Sequence, residues 1–248
     1  MDILRSVVIW LLGAAMLLVF FPITLVIWLL ALPFDRKRTI THWLLVVQGS
    51  VISFLIPGWK VSIEGKEKIK KGTTYVIICN HQSLVDILIL KRLWLRYKWI
   101  SKIEVYNFPI LGWYLRMARY ITVDRGDHES KSKMLEDAGK CLEDGTSIMI
   151  FPEGTRSPDN EIGFFKKGAF VLALSTKTPI LPVLLDGSGD VLPKHGILFG
   201  GFHHIRLKVL DPVMPEEFGT DRYEVLAKRF QDMMTDELKK LREANSAK

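Results

Sequence analysis

The chain has 248 residues, 48% of them hydrophobic, with a net charge of +7 and two cysteines, Cys79 and Cys141. Two cysteines build neither a disulfide framework nor a C-x-x-C metal knuckle, so a reducing compartment is expected. The modest positive charge comes without any recognisable nucleic-acid motif, so it points to anionic headgroups or phosphorylated substrates and not to nucleic acid.

The apolar residues gather at the N-terminus. No charged residue occurs from 6 to 34 or from 39 to 59, and the basic cluster DRKR (35–38) separates the two runs. A cleaved signal peptide has a shorter apolar core and a small-residue cleavage site. The first run, as a helix, extends about 43 Å, beyond the ~30 Å hydrocarbon core. Pro22 stands where it could kink this helix, and Pro33 closes it. The second run ends at PGW (57–59). Trp10, Trp28, Trp43 and Trp59 lie in these runs, and tryptophan favours the membrane interface. His42, Gly49 and Ser53 share one stripe of the second helix, so that helix is not uniformly apolar. Residues 1–59 therefore read as a two-helix membrane anchor. A hairpin crossing twice would put Arg36, Lys37 and Arg38 opposite the rest of the chain, against the tendency of basic loops to stay cytoplasmic. One span with an interfacial helix, or a helix pair dipping into one leaflet, both stay open. Two buried helices of a soluble protein are the bland alternative.

Residues 60–248 carry short β-rich runs alternating with helix-period segments. Strands are predicted at 60–65, 74–79, 98–101, 120–123, 147–151, 180–185 and 205–210. Between 127 and 145, Met134, Leu135, Ala138, Cys141 and Leu142 follow helical spacing, and Gly145 stops the helix. A last helix over about 221–242 aligns Leu226, Phe230, Met234, Leu238 and Leu241, with Asp221 and Glu224 as a capping box. The expected fold is α/β: a mixed, largely parallel sheet of about seven strands flanked by helices, behind the N-terminal membrane-embedded pair. Ligands in such sheets bind where strand ends give way to loops.

Asn80 and His81 follow a predicted strand directly. His81 and Asp86 cannot share a face of one regular helix, but they meet if His81 lies in the turn before a helix and Asp86 in its first turn. The bland reading is a capping box of Ser83 with Asp86. The functional reading is an imidazole base oriented by a carboxylate. A serine-hydrolase elbow is missing, because Ser188 in DGSGD is wrongly placed. GFFKKGAF has Gly163 and Gly168 at P-loop spacing, but Ala169 stands where lysine is needed. His203 and His204 are a weak metal signal and read better as a strand edge. Cys79, ending an apolar strand, reads as a buried, inert thiol. In IMIFPEGTRS (148–157), Gly154 allows close backbone approach and Arg156 offers a bidentate fork for phosphate; a solvated surface turn is the alternative. Lys102 and Arg125 also follow strands, and three strand-end cations in one sheet would converge on an anion.

Together NHQSLVD, YITVDR, FPEGTRS and ILPV, spanning 80 to 183, resemble the glycerolipid acyltransferase family. Arg119 stands where the family's second block usually opens with glycine. The resemblance implies His81 as general base and Asp86 as its orienting carboxylate. It implies Lys102, Arg125 and Arg156 as ligands of the acceptor's phosphate, Glu153 and Gly154 shaping the acceptor site, and Pro182 near the acyl donor. The implied reaction moves an acyl chain from acyl-CoA or acyl-carrier protein to the sn-2 hydroxyl of lysophosphatidate, with no cofactor and no metal. A thioester needs no enzyme-bound intermediate; the oxyanion of direct attack needs N–H donors, for which the loop at Gly154 and Thr155 is the candidate. The partners implied are membrane lipid and these substrates, with the catalytic domain on the cytoplasmic face. The same chemistry on glycerol-3-phosphate or another lysophospholipid, or a non-catalytic lipid-binding protein of the same fold, are the competing readings.

Overall fold

A computed structural model describes residues 2–56 and 58–246; Pro57, in the stretch predicted to end the second apolar run, lies outside them. Seven strands are present: β1 (Trp59–Glu64), β2 (Val76–Cys79), β3 (Tyr97–Lys102), β4 (Ile121–Val123), β5 (Ser147–Ile150), β6 (Ile180–Asp186) and β7 (His203–Val209). Each lies within two residues of its predicted run. They form one sheet in the order β1-β7-β6-β2-β5-β3-β4. Pairing is parallel from β6 to β4 and between β1 and β7, while β6 and β7 are antiparallel. His203 and His204 therefore open an interior strand, not an edge; the edge beside them is β1.

Strand β2 shows why the sheet is a two-sided core. All four of its residues are buried, as expected of a central parallel strand covered on both faces. Its side chains alternate: Ile77 and Cys79 join one apolar cluster, Val76 and Ile78 the other. The first cluster is covered by the N-terminal helices with α3 (Asp86–Leu90) and α4 (Leu111–Met117). The second is covered by α5 (His128–Glu143), α6 (Gly168–Thr176) and α8 (Tyr223–Ser246). A four-residue helix, α7 (Ser188–Val191), follows β6.

Local chemistry sets the helix ends. Asp127 caps α5, accepting from Glu129 N and Ser130 N. At its other end Gly145 N donates to Leu142 O and Thr146 N to Cys141 O, with Gly145 at φ 76; this is the Schellman closure that glycine permits. The capping box predicted from Asp221 does not form. Leu226 N donates to Arg222 O, so α8 starts one residue too late for Asp221 to be its cap, and Thr220 Oγ1 accepts from Arg222 N instead. Arg119, at the family's glycine position, keeps the left-handed backbone (φ 50), so the turn into β4 retains the shape that glycine adopts at lower cost.

The N-terminal runs form α1 (Asp2–Ala31) and α2 (Thr39–Leu55). α1 continues through Pro22 and is long and apolar enough to cross a membrane; α2 is not. Asp35 accepts from the N–H groups of Thr39, Ile40 and Thr41 and so serves as the anion at the start of α2. The predicted stripe of α2 is its buried face: His42, Gly49 and Ser53, with Val46.

Candidate active site

The parallel strands end together, and the residues singled out in the sequence lie at that edge. β5 and β6 flank β2, so the chain changes its direction of travel around the strand that His81 follows. Asn80 fixes the turn: its Nδ2 donates to Leu185 O and its Oδ1 accepts from Leu185 N, both at 2.8 Å. The side-chain amide thus replaces a rung of the ladder to β6.

His81 Nδ1 lies 2.8 Å from Asp86 Oδ2, and that same oxygen accepts from Gln82 N (2.8 Å) and Ser83 N (2.9 Å). Only one arm of the capping box forms: Ser83 Oγ accepts from Val85 N, Asp86 N donates to Ser83 O, and the Oγ proton goes to Leu192 O. Asp86 is fully buried, and its Oδ1 has no partner among the described residues. A carboxylate accepting from Nδ1 fixes the tautomer and leaves the lone pair on Nε2. The ring stacks on Phe151 at 3.9 Å between centroids, and Phe151 stacks in turn on Trp99 at 5.3 Å. Backbone ties, a carboxylate and a stacked ring hold the imidazole.

The loop after β5 clamps the histidine backbone from the other side. His81 N donates to Glu153 Oε1 (2.9 Å), Gly163 N to Glu153 Oε2 (3.2 Å), and Ser157 N to His81 O (2.7 Å). Glu153 is buried, and burial raises its carboxyl to about 7. Both of its oxygens accept from backbone N–H groups, so it braces the turn that carries His81. Gly154, at φ 71, donates its N–H to Phe151 O. That N–H is used within the turn; Gly154 lines the cavity described below, while Thr155 is exposed and does not.

His81 lines a cavity of about 1020 Å³ that crosses the strand-end edge from one face of the sheet to the other. On the first face Leu17, Leu45, Ile52 and Leu88 make it apolar. At the edge Lys102, the last residue of β3, and Arg125, two residues past β4, both line it. Lys102 pairs with Glu104 at 2.5 Å, and this contact lowers the Glu104 carboxyl. Arg156 is half-buried in its turn and is not on the cavity wall; the structure brings together two of the three predicted phosphate ligands. Pro182 is likewise off the wall, buried in β6 in register with Ile78.

Lys91 went unseen in the sequence. It is buried at the cavity wall, donates to Tyr120 Oη (3.1 Å) and lies 4.9 Å from the Tyr97 ring centroid. No carboxylate pairs with it among the described residues, and burial, then nearby Lys98, lowers it to about 7. A lysine ending a short apolar helix carries no local sign of burial, so sequence alone had no means of finding it.

A family model described as Acyltransferase matches residues 60–186. A 1-acyl-sn-glycerol-3-phosphate acyltransferase of Brassica napus is 36% identical over 183 residues, covering 73% of this chain and 52% of that protein. One from Saccharomyces cerevisiae is 30% identical over 213 residues, covering 83% of this chain and 68% of that protein. The chain spans about half the length of the first relatives it matches. The crystal structure of the 1-acyl-sn-glycerophosphate acyltransferase PlsC from Thermotoga maritima superposes with a TM-score of 0.79 at 24% identity, over 97% of this chain and 96% of that one, and shares the fold.

Proposed function

This chain belongs to the acyltransferase family, and from that premise we propose that it transfers an acyl chain from an acyl thioester to the sn-2 hydroxyl of 1-acylglycerol-3-phosphate, forming phosphatidate. The observation that carries the reading is the His81–Asp86 contact on the wall of a cavity whose lining passes from apolar to cationic. Nε2 takes the proton of the sn-2 hydroxyl as its oxygen attacks the thioester carbonyl. The tetrahedral intermediate expels the thiolate, which takes that proton back from Nε2, so ester and thiol form and His81 is restored. Base catalysis of this kind contributes roughly 10²–10⁴-fold. Lys102 and Arg125, on the cavity wall, hold the acceptor's phosphate, with Arg156 of the turn after β5 as the third ligand.

The membrane attachment is in-plane. Arg5 Nη2 donates to Gly201 O and Trp10 Nε1 to Ile197 O, while Phe21 packs on Trp113 and Tyr114. From Arg5 to Phe21, about 24 Å of α1 lies along the domain. The α1–α2 connection is on the domain's side too, because Lys37 Nζ reaches Asp144 O at 2.7 Å. A helix with both ends held by the domain inserts into one leaflet, and the basic connection favours the cytoplasmic one. Leu4, Leu11, Leu18 and Leu29 give α1 an exposed apolar stripe, and Phe202 is 89% exposed beside it. Acyl chains then enter the cavity between α2 and α3 without crossing water, which costs ~0.8 kcal/mol per CH₂.

The test is an acylation assay with a panel of acceptors. Lysophosphatidate should be preferred, and Lys102→Ala or Arg125→Ala should raise its KM at least tenfold. Activity confined to glycerol-3-phosphate would overturn the acceptor; absence of transfer to any acceptor would favour the lipid-binding reading.

A further inference from the structure

Past His81 the cavity continues onto the second face of the sheet, over the start of α6 and between α5 and α8. Met134 and Leu135 of α5, Val171 of α6 and Ala227 of α8 make its apolar floor. Lysines converge around it from separate elements: Lys131 from α5, Lys166 and Lys167 from the entry to α6, and Lys228 from α8. All four are exposed, and Glu224 is the one acidic residue among the described residues lining this part. Lys167 is propped over the Tyr223 ring at 5.3 Å, and Lys228 pairs with Asp232 at 2.5 Å.

Neither substrate chain nor acceptor phosphate accounts for this lobe. The apolar chains have the opposite lobe, next to α1 and α2, and the single acceptor phosphate has Lys102 and Arg125 at the strand ends. A thioester donor also carries a soluble, anionic portion that cannot enter the membrane side, yet its carbonyl must reach His81. The continuous passage across the sheet edge solves both demands: chain to one face, charged carrier to the other. We infer that the α5/α6/α8 lobe seats the phosphate-bearing end of a phosphopantetheine thioester, with Lys131, Lys167 and Lys228 neutralising its phosphate. The inference rests on the acyl transfer proposed above.

The chemistry is shared by acyl-CoA and acyl-carrier protein, so the experiment uses both, together with an acyl-pantetheine of the same chain, which has no phosphate. In the full chain, Lys131→Gln, Lys167→Gln and Lys228→Gln are combined, and KM is measured for each donor and for lysophosphatidate. The expected result is a rise of about tenfold or more for a phosphate-bearing donor, with acyl-pantetheine and lysophosphatidate within about twofold. The donor that shifts identifies the source of the phosphate. The wild-type KM for that donor should also climb with salt, and the variant's should not. The three single variants, each expected to raise KM about two- to fivefold, answer the same question if the triple variant does not fold. Unchanged KM for both phosphate-bearing donors, an equal rise for acyl-pantetheine, or a rise confined to lysophosphatidate overturns the assignment. In those cases wild-type transfer still stands, whereas a wild-type protein that transfers from no donor defeats the acyltransferase reading and this inference with it.

Discussion

Asp86 does two jobs through one oxygen. Its Oδ2 receives the N–H groups that open α3 and the imidazole that faces the cavity, so the capping and catalytic readings of the sequence describe the same atom. Asp86→Asn separates them. The amide oxygen can still accept from Gln82 N and Ser83 N, so stability should fall by only about 1–3 kcal/mol. Its loss of charge leaves the imidazolium of the transition state unsupported, and kcat should fall roughly 10²–10⁴-fold. A denaturation curve and a turnover assay on one preparation check both; an Asn variant of full activity would reduce Asp86 to a cap.

Glu153 gives a pH dependence with a definite sign. Its folded carboxyl sits at about 7 against an ordinary 4.5, because burial opposes its charge. Between those values the folded chain holds more protons than the unfolded one, so this group makes stability fall as pH rises from about 4.5 to 7. Glu153→Gln should remove that slope. It should also lower Tm near pH 5, since one of the two N–H donors, of His81 or Gly163, then meets an amide NH₂ instead of an oxygen. Thermal melts of both proteins across pH 4.5–7.5 decide it; parallel curves would show that the clamp does not titrate.

At the scale of elements the strands were legible, and of the short helices only the start of α3, through the Ser83–Asp86 capping signal. Seven strands follow from runs such as IMIF and YITV, because β alternation and β-branched content are properties of five or six neighbours. α5 and α8 were legible for the same reason at helical spacing. α3, α4 and α7 have five, seven and four residues, too short for a period to declare itself. Their helicity comes from packing on the sheet. The turn joining β2 to α3 depends on β6 through Asn80. Asn80→Ala would strand the buried Leu185 N and O, costing about 1–3 kcal/mol for each unmet group. Activity should drop further than stability, since His81 is the next residue. Urea titration alongside turnover measures the two separately.

For the whole molecule, the domain holds α1 along its side and not by one end. Single cysteines at Leu4, Leu11, Leu18 and Leu29, carrying a depth-reporting label in vesicles, should all sit at similar shallow depth. A depth rising to the bilayer centre and falling again would mean a span, and the contacts of Arg5, Trp10 and Phe21 with the domain would then have to break in the membrane.

The sequence by itself determined the strands, the two apolar N-terminal helices and the His81–Asp86 contact, because each is written in residues within a few positions of one another: His81 and Asp86 are five apart. Which cations meet was decided only in three dimensions. Lys102 and Arg125 reach the cavity while Arg156 does not, since a strand-end position fixes the level of a side chain and not the direction of its turn. Nor does the sequence show that Glu153 braces the His81 turn through two backbone N–H groups, or that the Gly154 N–H donates to Phe151 O. Backbone partners of this kind come from segments up to 72 residues away. No local pattern encodes them, because a buried carboxylate takes whichever donors the fold brings within reach.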